Sequence, residues 1–254
     1  MTDIHDRTSP PSGPGGPTRD GDGDGEQAGR EHSYSPLRSA VAQRVLNLQR
    51  DYCADRPYAV AALARLRRGV GRQATELPEL WGLLGMEGFH AQHFAQWQAP
   101  AGEEAAERAE RAAHIAVTLW ALHQQSERTV FMHRSDGTSV GAAVRRLMSG
   151  ADSDEGIRKR FVRAGSASTL DVVAQRLREL VVLFRAHESP VPLDYGLLAE
   201  QLDQWQRPGG PPRIRQAWGR GYHAYRAPKA NAVPPAEVPQ ARTETSPTEM
   251  KEDE

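Results

Sequence analysis

The side chains best suited to metal chemistry are His90 and His93, which lie three residues apart. Two histidines at this spacing can share one face of a helix and bind one ion. A third ligand would have to come from His114 or His123, and the glycines within 82–88 disfavour a rigid helix beside the pair. We therefore expect ordinary surface or partly packed histidines, and we predict no metal site and no cofactor.

Nucleophilic catalysis is the second kind of chemistry to consider. The chain has 1 cysteine, Cys53, whose neighbours in the sequence do not suggest an activated thiol, so a small buried side chain is expected there. A single cysteine also excludes a disulfide framework and a multi-thiolate zinc site. The sequence contains no glycine-rich phosphate loop ending in Lys-Ser or Lys-Thr, no GxSxG and no HExxH. These residues show no catalytic constellation.

Basic side chains form three clusters, at the end of one helix and its glycine turn, at the end of a short helix, and along the next helix. The clusters are Arg65, Arg67, Arg68 and Arg72; Arg145 and Arg146; and Arg158, Lys159, Arg160 and Arg163. Each cluster alone is weak evidence, because basic residues near a helix C-terminus also complement the helix dipole. Together they predict a surface that follows a phosphate backbone without reading sequence.

The net charge of −1 conceals an asymmetry along the chain. Residues 34–226 carry 26 basic and 20 acidic side chains, and Lys159 is the only lysine among the 26. Arginine suits bidentate phosphate contacts and stacking on bases. A GC-rich genome would also enrich arginine, so the positions of the arginines are more informative than their number.

The two ends of the chain differ in composition from its middle. Residues 1–33 and 227–254 are poor in apolar side chains, so we predict a disordered N-terminal tail and a disordered acidic C-terminal tail. No apolar run approaches the ~18 residues of a membrane span, and the N-terminus does not resemble a signal peptide. We expect a soluble cytoplasmic protein with no membrane partner.

Apolar residues recur at spacings of three and four throughout residues 34–226, which predicts an all-α helical bundle. A folded part of this length can form one continuous core or two small packed helical subdomains, with a possible subdivision near 126–138. Ser35 and Pro36 mark the start of the first helix. Further helices are predicted at 58–68, 103–125 after a break at 100–102, 139–148, 152–163, 194–205 and 213–225, with short helices within 77–98. Asp194 is the predicted N-cap of the helix at 194–205.

The clearest helix follows Ser168 and Asp171, which have the spacing of a capping box. Its apolar stripe predicts one buried face. The stripe consists of Leu170, Val173, Leu177, Leu180, Val181 and Phe184.

Five segments, taken in order, resemble the CasB family, the small subunit of the type I-E CRISPR surveillance complex Cascade. They are DRPYAVAALARLRRGVGR at 55–72, TLWALHQQS at 118–126, SVGAAVRRL at 139–147, the stretch from IRKRF to LDQW at 157–205, and AWGRGYHAY at 217–225. The resemblance spans residues 55–225 and neither tail. The individual segments are not specific, and their order is what carries the resemblance.

The resemblance implies an all-helical, non-catalytic subunit in antiviral defence. Its partners would be the other Cascade subunits, a second copy of itself, the guide RNA–target DNA heteroduplex and the displaced DNA strand, and its role would be to stabilise the R-loop. The family's first and second arginine pairs correspond to Arg67–Arg68 and Arg145–Arg146, and its basic helix to 158–163. Helical spacing assigns Trp205, Trp218 and Tyr225 to core packing.

Two other classes of function remain open from the residues alone. A helical adaptor or regulator without nucleic-acid binding would use the same arginines to meet acidic partners. An enzyme with a cryptic histidine site is the third class.

Overall fold

The computed structural model describes residues 34–97, 100–148 and 154–225, so the predicted tails at 1–33 and 227–254 lie outside the described residues. The described part contains nine α-helices, two short 3₁₀ helices and no strand, which confirms the all-α prediction. The α-helices are α1 Pro36–Cys53, α2 Pro57–Arg68, α3 Glu87–Trp97, α4 Pro100–Gln124, α5 Val140–Met148, α6 Asp154–Gly165, α7 Leu170–Ala186, α8 Tyr195–Trp205 and α9 Gly210–Ala224. The 3₁₀ helices are Ala74–Glu76 and Pro78–Leu83.

The centre of the packing is α4, the longest described helix at 25 residues. It packs against α1, α2, α7 and α8, and the side chain of Trp120 on it is fully buried. The α7 stripe is buried as predicted, with Leu177 and Leu180 at the core. This arrangement leaves the last turn of α2 and the basic residues of α6 at the surface. These two helices carry the first and the third predicted basic cluster.

A close crossing joins α5 to α9, and glycines make it possible. A Cβ added to Gly141 on α5 would lie 1.8 Å from the carbonyl oxygen of Trp218 on α9. A Cβ on Gly221 would lie 2.1 Å from the Ser139 hydroxyl oxygen. Because the clash at Gly141 is with backbone atoms, only glycine permits the approach there, whereas a Cβ at Gly221 would displace the Ser139 side chain. The crossing fixes the helix that carries Arg145 and Arg146 against α9.

Two buried glutamines hold the connector between α4 and α5. The Gln49 amide donates to the carbonyl of His133 at 3.0 Å and accepts from the His133 N–H at 3.1 Å. The Gln124 amide donates to the Val130 carbonyl at 2.9 Å and accepts from the Met132 N–H at 2.9 Å. Both glutamines are 0% exposed. The connector therefore satisfies its backbone groups partly with these side chains and partly through a single parallel bridge between His133 and Leu193.

The start of α8 is organised by Asp194, as the predicted cap. Its carboxylate accepts from the Leu197 N–H at 2.9 Å and from the Gly137 N–H at 3.2 Å. The guanidinium of Arg38 on α1 lies 2.7 Å from the same carboxylate, whose side chain is 0% exposed. One buried side chain thus joins α1, the connector and α8.

Three predicted helix starts are wrong by a few residues. Pro100 begins α4 instead of breaking the chain, because the first helical position needs no N–H donor. The same reason allows α9 to begin at Gly210, with two prolines in its first turn. The N-cap of α7 is Thr169, whose hydroxyl accepts from the Val172 N–H at 3.3 Å, and not Ser168. The predicted end of the 139–148 helix at 149–150 lies outside the described residues.

Candidate nucleic-acid interface

The last turn of α2 presents Arg65, Arg67 and Arg68, which we call the α2 arginines. All three are exposed because Leu63 and Leu66 take the buried face of the helix. None of the three has an acidic partner within the described ranges, where ion pairs occupy other arginines. Three unpaired guanidinium groups on one helical turn form a surface of concentrated positive charge.

Arg72 lies on the glycine turn beyond α2. Its Nε is 3.3 Å from a carboxylate oxygen of Glu76, and half of its side chain is exposed. The turn itself is held by His114 of α4, whose Nε2 lies 3.3 Å from the Gly69 carbonyl oxygen and 3.0 Å from that of Arg72. Because two carbonyls can only accept, Nε2 carries the proton and donates. His114 is thus a structural residue that positions Arg72.

A cavity of about 410 Å³ opens between this turn, α4 and α7. Arg72, Arg111 and Arg178 lie among its lining residues. Sequence reasoning missed Arg111 and Arg178, because they lie on different helices and only the fold brings them together. No pattern of spacing could have indicated this grouping.

The second and third predicted clusters meet at Tyr222 of α9. The guanidinium carbon of Arg145 lies 5.7 Å from the centre of the Tyr222 ring, and the Phe161 ring of α6 stacks on it at 5.6 Å. Arg158 lies on α6 one turn before Phe161. We call the region formed by Tyr222, Arg145, Phe161 and Arg158 the Tyr222 surface. Arg146, by contrast, is half-buried and less available to a partner.

Ion pairs within α6 reduce the charge of the third cluster. The carboxylate of Glu155 lies 3.0 Å from Arg158 and 3.6 Å from Lys159, and the hydrogen bond from Arg158 lowers the pKa of Glu155. Arg160 donates to the Gly156 carbonyl at 3.3 Å. Arg163 is exposed and has no acidic partner in the part of the chain that the structure describes. Arg163 is therefore the strongest phosphate-contact candidate of this cluster.

Two exposed arginines on α9 lie outside the predicted set and on the face of the helix opposite Tyr222. Arg213 and Arg220 are exposed, and their spacing of seven residues places them on one face. Arg215 donates to the Gly165 carbonyl at 2.8 Å and so holds the end of α6. The heptad spacing was the available signal in the sequence. Trp205 and Trp218 are buried as predicted, whereas Tyr225 is only half-buried beyond the end of α9.

The histidines that were weighed as metal ligands lie in separate environments. His90 lies 3.4 Å from Glu110, and His93 contacts the carbonyl of Phe89 at 2.8 Å. His123 is 0% exposed, and its Nδ1 lies 2.8 Å from the Tyr195 hydroxyl. Across 34–97, 100–148 and 154–225, no group of three or more His, Cys, Asp or Glu side chains is placed to hold a metal ion. Cys53 is only partly buried, and burial raises the pKa of its thiol.

The buried histidine makes folding stability depend on pH. Burial lowers the pKa of His123 to about 3 from 6.5, so between these values the unfolded state binds a proton that the folded state does not. The free energy of unfolding will therefore fall on acidification below pH ~6.5, by about 1.4 kcal/mol per pH unit for this group. Burial also lowers the pKa of His114 and His133, which adds to the effect.

Urea denaturation at several pH values between about 7.5 and 5 measures this dependence. The side chain of His123→Gln does not titrate in this range. The slope of the free energy of unfolding against pH should therefore be smaller than that of the wild type by the contribution of one proton. Equal slopes for the variant and the wild type would contradict the assignment.

Comparisons with known proteins identify the family. Residues 62–223 match the family of CRISPR-associated protein Cse2. The crystal structure of CasB from Thermobifida fusca is similar at 49% sequence identity and a TM-score of 0.64, covering 74% of this chain and 98% of that one. CasB from M. ruber, also a crystal structure, matches at 23% identity and a TM-score of 0.49, over 71% of this chain and 92% of its own. No curated protein gives a significant match.

No helix in the described ranges is long and apolar enough to cross a membrane. The family match covers α4 to α8 completely and includes most of α2 and α9. It therefore spans both the α2 arginines and the Tyr222 surface. The chain belongs to the CasB/Cse2 family, the small subunit of the type I-E Cascade complex in CRISPR defence.

Proposed function

We propose that this Cse2 subunit binds the nucleic-acid backbone without catalysis and thereby stabilises the R-loop formed by guide RNA and target DNA. The observation that carries the proposal is the exposure of the α2 arginines without acidic partners within the described residues. A guanidinium that is not already paired can contact a phosphate without losing an ion pair. Arg145 adds positive charge at the Tyr222 surface, and Arg163 is a further exposed cation on α6.

The physical logic is a division of labour between pairing and charge. Base pairing with the guide carries the sequence specificity, and the exchange of one duplex for another is nearly balanced in free energy. A small number of phosphate contacts can then decide whether the loop persists. Arginines suit this task because their contacts with phosphate are bidentate and independent of sequence.

The partners of the proposed function are the other Cascade subunits, a second copy of this chain, the heteroduplex and the displaced strand. The two basic surfaces suit two stretches of backbone, since α2 packs on α1 and α4 whereas α5 and α6 pack on α7 and α9. We propose the cytoplasm as the compartment. A subdivision near 126–138 stays a prediction.

A salt titration of the assembled complex tests this function. Target DNA binding is measured at several salt concentrations, with and without the subunit. Each phosphate contact contributes about 0.7–0.9 to the slope of log affinity against log salt. Three or more contacts should therefore make the slope of the complete complex steeper by at least about 2.

Mismatched targets provide the control for this titration. Removing the subunit should weaken matched and partly mismatched targets by similar factors, because backbone contacts do not read sequence. Equal slopes with and without the subunit would contradict backbone binding. That result, together with intact assembly, would favour a protein–protein adaptor.

A further inference from the structure

The cavity between the glycine turn, α4 and α7 combines positive charge with apolar walls. Its volume of about 410 Å³ falls within the range of small-molecule sites. The apolar part of the lining comes from Val70, Ile115, Leu119 and Val172. This combination differs from the α2 arginines, which form an open surface without a pocket.

The charges around the cavity are unequal. Arg72 pairs with Glu76, and Arg111 lies 3.8 Å from Asp171. Asp171, the acidic residue among the lining residues, also accepts from the Gln73 amide at 3.1 Å. Arg178 has no acidic partner in the described ranges, and its Nη1 would lie 3.9 Å from a Cβ added to Gly71. Arg178 therefore supplies an uncompensated positive charge at the turn.

A second observation concerns the polar part of the wall. His114 lines the cavity and is only 3% exposed. Its Nε2 donates to backbone carbonyls, and its Nδ1 is buried without a hydrogen-bond partner. Since burial lowers the pKa of this imidazole, Nδ1 is an unprotonated acceptor. Since this nitrogen is not accessible from solvent, the histidine contributes its ring to the wall and no hydrogen bond to a ligand.

We propose that this cavity binds a nucleoside phosphate, with the phosphate at Arg178 and Arg111 and the nucleoside against the apolar wall. An inorganic anion alone would leave the apolar wall unused, whereas a nucleoside alone would leave Arg178 unused. The ligand is either a free nucleotide or a nucleotide of a bound strand. The inference goes beyond the proposed backbone binding, because the site takes a whole nucleotide.

The test is a calorimetric titration of the full chain at low salt with AMP, adenosine and inorganic phosphate. AMP should bind at least about tenfold more tightly than either component, because only AMP uses both walls. The imidazole NMR signals of His114 should shift with AMP. If AMP binds no more tightly than inorganic phosphate, the proposal is overturned.

Two variants locate the binding. Arg178→Gln removes an exposed cation and should weaken AMP binding about tenfold, whereas Arg185→Gln, on the same helix and outside the cavity, should leave it unchanged. Ala174→Phe fills the cavity, keeps every arginine and should abolish binding, with the melting temperature measured alongside. AMP affinity that survives both Arg178→Gln and Ala174→Phe would refute the site.

Competition distinguishes the two sources of the nucleotide. An unphosphorylated eight-nucleotide strand that displaces AMP identifies nucleotides within a strand, whereas displacement only by the 5′-phosphorylated strand identifies free or terminal nucleotides. The salt slope of the assembled complex does not enter this experiment. Failure of the cavity site and failure of the proposed R-loop function are therefore separate results.

Discussion

Replacing Asp194 with alanine will lower the free energy of unfolding by about 3–5 kcal/mol, as expected when one partner of a buried ion pair is removed. The substitution leaves Arg38, whose side chain is only 12% exposed, with the more distant Glu200 at 3.8 Å. It also removes the N-cap of α8 and the acceptor of the Gly137 N–H. Urea denaturation at neutral pH measures the loss.

The matched variant for this experiment is Asp194→Asn. An asparagine can still cap the helix, because its side-chain oxygen accepts from the Leu197 N–H, but it removes the charge. The free energy of unfolding of Asp194→Asn should lie between that of the wild type and that of Asp194→Ala. A loss below about 1 kcal/mol for Asp194→Ala would contradict the role that we assign to this carboxylate.

Local chemistry made much of the fold predictable. Ser35 and Asp194 cap helices as their side chains suggested, because an N-cap needs only an acceptor at one position. The α7 stripe at 170–184 is buried because its apolar residues repeat at helical spacing over four turns. Such features depend on neighbours in the sequence, so the sequence alone reveals them.

The errors arose where prolines and competing caps admit two interpretations. Pro100 was interpreted as part of a break, although proline is as compatible with the first turn of a helix as with a loop. Ser168 and Thr169 are both good N-caps, and the observed cap is Thr169.

The grouping of the basic residues could be predicted only in part. The α2 arginines form a group because they share one helical turn. The meeting of Arg145 with α6 depends on Tyr222 and on the glycine crossing of α5 and α9, which are contacts between distant segments. The grouping of Arg72, Arg111 and Arg178 around one cavity depends on three elements at once. Neither of these two groupings can be recognised from the spacing of residues in the sequence.

Reversing the charge of Arg67, Arg68 and Arg163 together will weaken target binding by the assembled complex about tenfold or more. These side chains are exposed and lack acidic partners within the described ranges, so their replacement by glutamate removes phosphate contacts without breaking an ion pair. The slope of log affinity against log salt should flatten by about 2–3. Guide RNA loading should stay unchanged.

The decisive control carries the same change in net charge at other positions. Arg50, Arg56 and Arg185 are also exposed and lie outside the α2 arginines and the Tyr222 surface. The triple glutamate variant at these positions should enter the complex and retain most of the salt slope. A comparison of the two variants therefore separates local phosphate contacts from the effect of net charge on its own.

The most direct measurement of the central claim is target DNA affinity against salt concentration for the wild-type complex and the two triple variants, with incorporation of the subunit verified by gel. The backbone-binding account predicts a flattened slope for Arg67→Glu, Arg68→Glu and Arg163→Glu and a nearly wild-type slope for the control. Identical affinities and slopes for all three complexes, with the subunit fully incorporated, would contradict nucleic-acid contact by these arginines.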